Sequence, residues 1–521
     1  MIPKPPFPWE LTPETEHAAF EVLKRQLVRF WTENYPGDDQ AYTSVVVPSF
    51  TLDSEELAKI RGCSFLEERL LFLLIRLRNP RARLVYVTSQ PLHPLVLEYY
   101  LQLLAGVPAS HARARFTHLC VFDTSSKPLT QKVLERPRVI ERIRVSIPDK
   151  RQAYLTTFNS TPLERKLAVL LGIPLNGVDP DLVHFGTKSG SRRLFREAGI
   201  ALPAGFEDVR TEEDVLSALR ELRSLRPGLR RAVVKLDESF SGEGNAVVTL
   251  RETVSEECLD DLAFAVSTEK RSTYFDKLRR MGGIVEEFLE GEETCSPSVQ
   301  MRINPMGKVF VASTHEQILG GPTGQVYKGC RFPARQPYRL FLHLAGRQLG
   351  EALARHGVTG RFSVDFLARR QGRDWDLKAL EINLRMGGTT HPMLALRFLT
   401  GGELDPGTGL FLTHDGPRYY RATDSLESPS YAGLLPEDLV EIVTLNGLAF
   451  SYQTFTGVLF HMIGAISQFG KVGVVAIGNS PEGTEALYER VVEVLDRETR
   501  YGPCTADPES ARVRFPGSSA A

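Results

Sequence analysis

Residues Gly360–Gly388 read GRFSVDFLARRQGRDWDLKALEINLRMGG. Phe362, Val364 and Phe366 alternate with Ser363, Asp365 and Leu367. Leu380, Ile382 and Leu384 alternate with Glu381, Asn383 and Arg385. A period of two marks two half-buried strands, and the polar run RRQGRD between them marks a hairpin turn. Pairing about that turn sets Val364 against Ile382 and Phe366 against Leu380 on one face. The other face sets Asp365 against Glu381, Ser363 against Asn383 and Arg361 against Arg385. The apolar faces match without a slip, and a slip by one residue would turn every one of them to the wrong side.

Two carboxylates directly opposite each other repel unless a cation or a proton lies between them. Asp365, Glu381 and the amide oxygen of Asn383 form a hard oxygen set. Such a set suits Mg²⁺, which keeps its other positions for water and phosphate oxygens. A lone DxF or ExN reads as a solvated polar face. The opposed pair with Arg385 on the same face points instead to a metal site.

Three upstream stretches are weak singly. Ala232–Val248, AVVKLDESFSGEGNAVV, ends a β run on Lys235 and continues into a loop with Gly242 and Gly244. Small residues let backbone N–H groups approach phosphates, and the lysine supplies a point charge. A plain hairpin turn would show the same residues. Gly186–Gly199, GTKSGSRRLFREAG, sets Lys188 ahead of a helix with a basic face. Gly283–Thr294, GIVEEFLEGEET, runs an apolar strand into an acidic turn whose exposed backbone could receive a purine edge. Gly464–Lys471 lacks the glycine spacing of a Walker A loop and is set aside.

In this order (lysine, lysine with glycine loop, EExLxGxE, then D…ExN) the parts resemble the ATP-grasp superfamily over residues of about 180–400. The resemblance implies ATP phosphates on Lys188 and Lys235, with Gly242 in the phosphate loop. It implies adenine read by the Glu286 side chain and the Glu287 and Leu289 backbones, and ribose held by Glu293. It further implies two Mg²⁺ ions, replaceable by Mn²⁺, on Asp365, Glu381 and Asn383, with Arg385 facing an acyl phosphate. Narrower phrases, VYVTSQPLHP, EINLRMGGTTHP and GVLFHMIGAISQFGKVGVVAIGNSPE, are similar to the pheganomycin-type peptide ligases. These couple a carboxylic acid to the amino end of a peptide. The expected function is therefore an ATP-dependent carboxylate–amine ligase working through an acyl phosphate and releasing ADP and phosphate. Its partners would be a small-molecule carboxylate and a peptide or amino-acid amine, and a homo-oligomer is compatible with this reading. Arg361 and Lys328 join Arg385 as expected contacts to the anionic intermediate. Rival expectations are a synthetase or carboxylase of small-molecule metabolism, or an ATP-binding regulator without catalysis. No biotin-carrier segment favours a carboxylase, and the intact Asp365, Glu381, Asn383 and Arg385 count against a regulator.

At 521 residues the chain exceeds one ordinary core. Alternating strands and helices up to about residue 180 predict an open α/β domain, the pre-grasp domain of the superfamily. Residues 181–400 predict an α+β ATP-grasp domain of two subdomains, the small one over about 200–290. Gly401–Pro417 reads as a linker, 418–500 as a small C-terminal α+β unit for substrate admission or closure, and 501–521 as a tail. Tyr419, Tyr420, Phe450, Tyr452 and Phe455 offer that unit either a peptide-binding surface or its own core. The segment 316–331 and the loop 237–245 read as mobile covers, with Lys328 and Arg331 closing over phosphate. His391 reads as a substrate contact, a base or a structural histidine. A net charge of −1 gives no support for nucleic-acid or membrane binding. Six scattered cysteines without a CxxC pair or a nearby histidine pattern argue against a zinc site or a disulfide framework. Without a basic start and apolar run at residues 1–16, a cytoplasmic location is expected.

Overall fold

The computed structural model describes residues 11–34, 40–239, 244–266, 268–320 and 326–500. Within them the strands fall into three sheets in chain order. The first holds β1 (Thr43–Val46), β2 (Arg83–Thr88), β3 (Phe116–Cys120) and β4 (Ala153–Thr156). All are parallel, in the order β3-β2-β1-β4. The apolar side chains of β1, β2 and β4 are buried, as expected for a parallel sheet covered by helices, and those of the edge strand β3 are half-buried. The helix Pro162–Leu171 leaves β4 on a capping box, in which Thr161 and Glu164 satisfy each other's backbone N–H groups. The apolar stretch Glu67–Leu77 lies within Cys63–Arg78, which is wound as a 3₁₀ helix, tighter than an α-helix.

The second sheet holds β5 (Gly205–Val209), β6 (Arg231–Leu236), β7 (Asn245–Thr249), β8 (Ala263–Phe264) and β9 (Gly283–Glu287), antiparallel in the order β5-β9-β6-β7-β8. The helix Glu212–Leu225 packs its Val215, Leu216, Leu219 and Leu222 into this sheet's own core.

The third sheet runs from β10 to the end of the chain: β10 (Thr294–Cys295), β11 (Pro297–Ile303), β12 (Val309–Gly320), β13 (Val326–Phe332), β14 (Gly360–Gln371), β15 (Asp374–Asn383), β16 (Glu403–Leu404), β17 (Phe411–Thr413), β18 (Gly416–Glu427), β19 (Gly457–His461) and β20 (Lys471–Gly478). The hairpin β14–β15 has the expected register at its functional end: Ser363 faces Asn383, Val364 faces Ile382 and Asp365 faces Glu381. Below that point the register shifts, and Phe366 faces Ala379 rather than Leu380. The extra residue is a bulge. It returns Leu377 and Ala379 to the core together with Ile382 and Leu384, a switch of parity that a strict alternation cannot show.

Two further expectations change. The glycine-rich stretch 401–417 is not a bare linker, since it carries β16 and β17 and turns into β18. The flanks of the expected cover at 316–331 are paired strand, β12 against β13. β18 pairs with β13 through Cys330↔Ala422 and Arg331↔Arg421, so the last strands extend the central sheet. Their apolar face shares one core with the N-terminal sheet: Leu70, Leu74, Tyr86 and Tyr100 pack with Val458, Phe460, Val474 and Ile477. The Tyr100 hydroxyl donates to the Phe460 carbonyl (3.1 Å), and Tyr99 accepts from the Phe460 N–H (2.9 Å). Three of the five C-terminal aromatics serve this packing. Tyr420 is 1% exposed and stacks on Phe332, and Phe450 and Tyr452 lie against the shared core.

Candidate active site

At the upper end of the β14–β15 hairpin the carboxylates of Asp365 and Glu381 share one face. Asn383 donates to both, at 3.0 Å to Asp365 and 3.3 Å to Glu381. Gln317 of β12 donates to the other Asp365 oxygen at 2.8 Å. Arg385 donates to the Asn383 amide oxygen at 3.0 Å. Lys188, 7% exposed, pairs with Glu381 across the hairpin. Burial and the facing Glu381 charge push Asp365 up to about 7. Burial acts the same way on Glu381, but Lys188, Lys235 and Arg385 outweigh it and hold that carboxyl at about 2. One anion of the pair is thus fixed by cations while the other resists ionising beside it.

Lys188 is placed by the start of the helix Lys188–Glu197. Thr187 caps this helix, and its first N–H groups meet Asp237 just past β6. Gly190 is required there, because a Cβ would lie 2.0 Å from the His184 carbonyl oxygen. Lys235, at the end of β6, pairs with Glu286 of β9 at 2.6 Å. Arg192 takes the second Glu286 oxygen at 2.8 Å. Glu286 is 1% exposed with both oxygens on cations, so its side chain is a buried bridge rather than an open reader of a purine edge. The Glu287 N–H donates to the Ala204 carbonyl, and its carboxylate accepts from the Ala204 N–H, each at 2.8 Å. Leu289 lies half-buried just beyond the end of β9. Glu293 is held by Arg335 (2.7 Å) and Arg370 (3.3 Å), beside the lower part of the hairpin. Gly242 falls outside the described residues. Lys328 is exposed on β13, and its carbonyl accepts from Thr423. Arg331 pairs with Glu485 of the helix Pro481–Arg500 at 2.6 Å, away from the role of a phosphate cover. His391 is buried and turned to His461 and Asp424, and burial with the neighbouring His461 lowers it to about 4.

Beside the hairpin lies a cavity of about 530 Å³ between the first sheet and the β14–β15 region. Arg76, Arg78, Arg302, Arg361, Arg385 and Arg397 line it, against a single carboxylate, Glu403. Trp31 and Tyr154 line the same space, with the Arg302 guanidinium 4.5 Å from the Trp31 ring and the Arg76 guanidinium 5.4 Å from that of Tyr154. Arg385 belongs to both places, since it touches Asn383 and lines the cavity. Four of these arginines, 76, 78, 302 and 397, were not foreseen, because they come from separate elements and no local pattern joins them. Gln317 and Arg192 escaped for the same reason, although Arg192 sits in the basic phrase GTKSGSRRLF.

Comparison with known proteins follows this geometry. A family model described as IQCH-like ATP-grasp matches residues 180–269 and 256–407, and one described as the PGM1 C-terminal domain matches 438–491. The L-propargylglycine–L-glutamate ligase of Streptantibioticus cattleyicolor is 32% identical over 477 residues, covering 89% of this chain and 96% of that protein. The chain belongs to the pheganomycin-type ATP-grasp ligases. Ligases of this class join a carboxylate to an amine and bind ATP with a divalent ion. The fold is that of the wider superfamily. The biotin carboxylase of Campylobacter jejuni matches with a TM-score of 0.52 at 11% identity, over 88% of this chain and 95% of that one. The biotin carboxylase domain of the Hydrogenobacter thermophilus 2-oxoglutarate carboxylase, described in complex with MgADP, ADP and bicarbonate, matches at 0.53 and 12%, over 87% and 90%. No described helix of the ligase is long and apolar enough to cross a membrane.

The donor set fits the nucleotide and ion of this class. Lys188 and Glu381 face each other as cation and anion. A metal–triphosphate brings both signs, so each partner can exchange its present contact for the complementary one. Asp365, Glu381 and the Asn383 amide supply the oxygen ligands that Mg²⁺ prefers. The Asn383 amide now turns its nitrogen to the carboxylates, and ligation would require it to turn about its side-chain axis.

Proposed function

We propose that this ligase activates a carboxylate as an acyl phosphate and transfers it to the amine of an acidic amino acid or of a peptide beginning with one, releasing ADP and phosphate. The observation that carries the reading is the double position of Arg385, against the Asn383 amide on one side and in the six-arginine cavity on the other. Phosphoryl transfer and the anionic substrates then share one wall.

In this reading Asp365, Glu381 and Asn383 would hold Mg²⁺, one ion or two, with Mn²⁺ as a replacement, and the bound ion would supply charge screening between carboxylate and triphosphate. Lys188 and Lys235 face the phosphates. Glu286 keeps Lys235 in place, and adenine and ribose lie along Glu287, Leu289 and Glu293. A carboxylate attacks the γ-phosphate poorly while both are anionic. The lysines and Arg385 lower that repulsion and fix the line of approach. Arg385 and Arg361 donate to the acyl phosphate, from which the amine, attacking the carbonyl carbon, displaces phosphate as a good leaving group. His391 takes no part as a base, since its Nε2 is committed elsewhere. The arginine-rich cavity supports an amine partner bearing carboxylates, in line with the glutamate in the name of the Streptantibioticus relative.

The test is chromatography of nucleotide products over a panel of acids and amines. ADP is expected, with kcat/KM for glutamate as amine exceeding that for glutamine by about 10²-fold, the discrimination expected of a site built for a charge. AMP as the main product overturns the mechanism, and equal use of glutamine overturns the substrate class.

A further inference from the structure

Three side chains from distant parts of the chain meet at one buried point. His391 lies in the helix Thr390–Thr400, Asp424 in β18 and His461 at the end of β19. The Nε2 atoms of His391 and His461 are 2.9 Å apart, and the Asp424 Oδ1 is 3.2 Å from the first and 2.8 Å from the second. Both histidines are 4% exposed.

Hydrogen bonding alone does not account for this triangle. An imidazole nitrogen carries either a proton or a lone pair. If both histidines donate to Asp424, their nitrogens lie 2.9 Å apart with no bond between them. If one donates to the other, the acceptor's single lone pair is used, and its nitrogen faces a carboxylate oxygen at bonding distance with no proton between them. No assignment gives three straight bonds, because the corners of such a triangle are too acute. A cation at the centre satisfies all three atoms together. Tetrahedral zinc with bonds of about 2.0–2.1 Å sets its ligand atoms about 3.3 Å apart. The observed triangle reaches that size by opening a few tenths of an ångström.

The surroundings fit an ion as well. Arg69 donates to the other Asp424 oxygen, Oδ2, at 3.2 Å, which orients the carboxylate and leaves Oδ1 toward the histidines. A cavity of about 30 Å³ adjoins the two rings and Arg69, enough for a water as a fourth ligand. The rest of its wall is apolar, including Phe72, Leu459 and Val475. Two imidazoles with one carboxylate is a donor set for zinc or a neighbouring transition ion rather than for Mg²⁺.

We propose that His391, Asp424 and His461 bind one zinc-class divalent ion, separate from the nucleotide metal, which ties the helix after the hairpin to β18 and β19. The probe is metal content and Co²⁺ substitution of the full-length protein. Wild-type protein is expected to retain about one equivalent of zinc after gel filtration, matching the one such cluster among the described residues. Replacement by Co²⁺ is expected to give the intense visible bands of a four-coordinate site. The bands should persist in Glu381→Ala, which removes the expected nucleotide-metal ligand, and vanish in His461→Ala. Protein that is metal-free and stays colourless with Co²⁺ overturns the proposal, as do bands that survive His461→Ala. If His461→Ala does not fold, X-ray absorption at the zinc edge of the wild type decides: two imidazoles in the shell support the site, and none overturns it.

Discussion

The Asp365–Glu381 pair and the His391–Asp424–His461 triangle are both convergences of ligand atoms, yet they are built in opposite ways. The first lies on one hairpin, with 15 residues between its members, both half-buried, and its partners Lys188, Asn383 and Gln317 surround it with charge and amides. The second joins residues 33, 37 and 70 positions apart, closes on itself, and faces an apolar cavity of about 30 Å³. An open site rich in exchangeable contacts suits an ion that comes and goes with a nucleotide. A closed site suits an ion that stays with the fold.

The largest separation between them should appear with Glu381→Ala. Turnover is expected to fall at least about 10³-fold, because an expected ligand of the ion that screens the reacting phosphates is lost. The melting temperature should stay within a few degrees, since Glu381 is not part of the core. ADP release and thermal unfolding measured on one preparation check both halves. Wild-type turnover, or a protein that melts far lower, would erase the distinction between the two places.

His461→Ala should give the converse. Removing a buried ring that meets Asp424 and His391 leaves a void and takes one partner from the Asp424 carboxylate, which keeps Arg69 and His391. A loss of about 2–4 kcal/mol is expected in denaturant unfolding. ADP release at saturating ATP should remain within tenfold, because no atom of His461 lines the arginine cavity. A 10³-fold loss of turnover with unchanged stability would move the triangle into the catalytic machinery. A smaller effect is expected for Arg302→Gln on the cavity wall. KM for an acidic amine should rise about 10-fold with kcat nearly constant, the mark of a contact made equally in ground and transition states. Steady-state kinetics with glutamate and glutamine separate this from a general defect, since only glutamate should respond.

Sequence distance also governs what can be read without coordinates. The facing of Asp365 and Glu381 follows from strand period and turn position, and so does the matching of Val364 with Ile382. The bulge below them does not, because one extra residue preserves composition while changing parity. The ionic bridge at Glu286 needs Lys235 from the adjacent strand and Arg192 from a helix, so the sequence could offer it only as an acidic turn. The arginine cavity joins the first sheet to β11, the hairpin and the helix after it, and the histidine triangle joins that helix to β18 and β19. Local alternation carries no information about these joins, and Gly401–Pro417, which looked like a spacer, leads directly into β18.

The shortest range gives the smallest predicted effect. Thr211 and Asp214 are three residues apart and close a capping box at the start of Glu212–Leu225. The Thr211 hydroxyl accepts from the Asp214 N–H at 3.1 Å, and the Asp214 carboxylate accepts from the Thr211 N–H at 2.9 Å. The motif was legible outright, because a threonine followed three residues later by an acid ahead of an apolar period needs no tertiary partner. In Thr211→Ala the Asp214 N–H loses its acceptor, but the helix end is solvent-exposed and water replaces much of the bond. The Asp214 carboxylate keeps its bonds to the Thr211 and Arg210 N–H groups, at 2.9 and 3.0 Å, because both are backbone. A loss of about 1 kcal/mol is therefore expected in urea unfolding. Turnover should be unchanged, since the helix packs on the face of the second sheet through Val215, Leu219 and Leu222 and carries no group of the cleft. A change in turnover beyond twofold would mean that this sheet transmits small shifts of its helix to Lys235, and local legibility would then extend further into function than the hairpin alone implies.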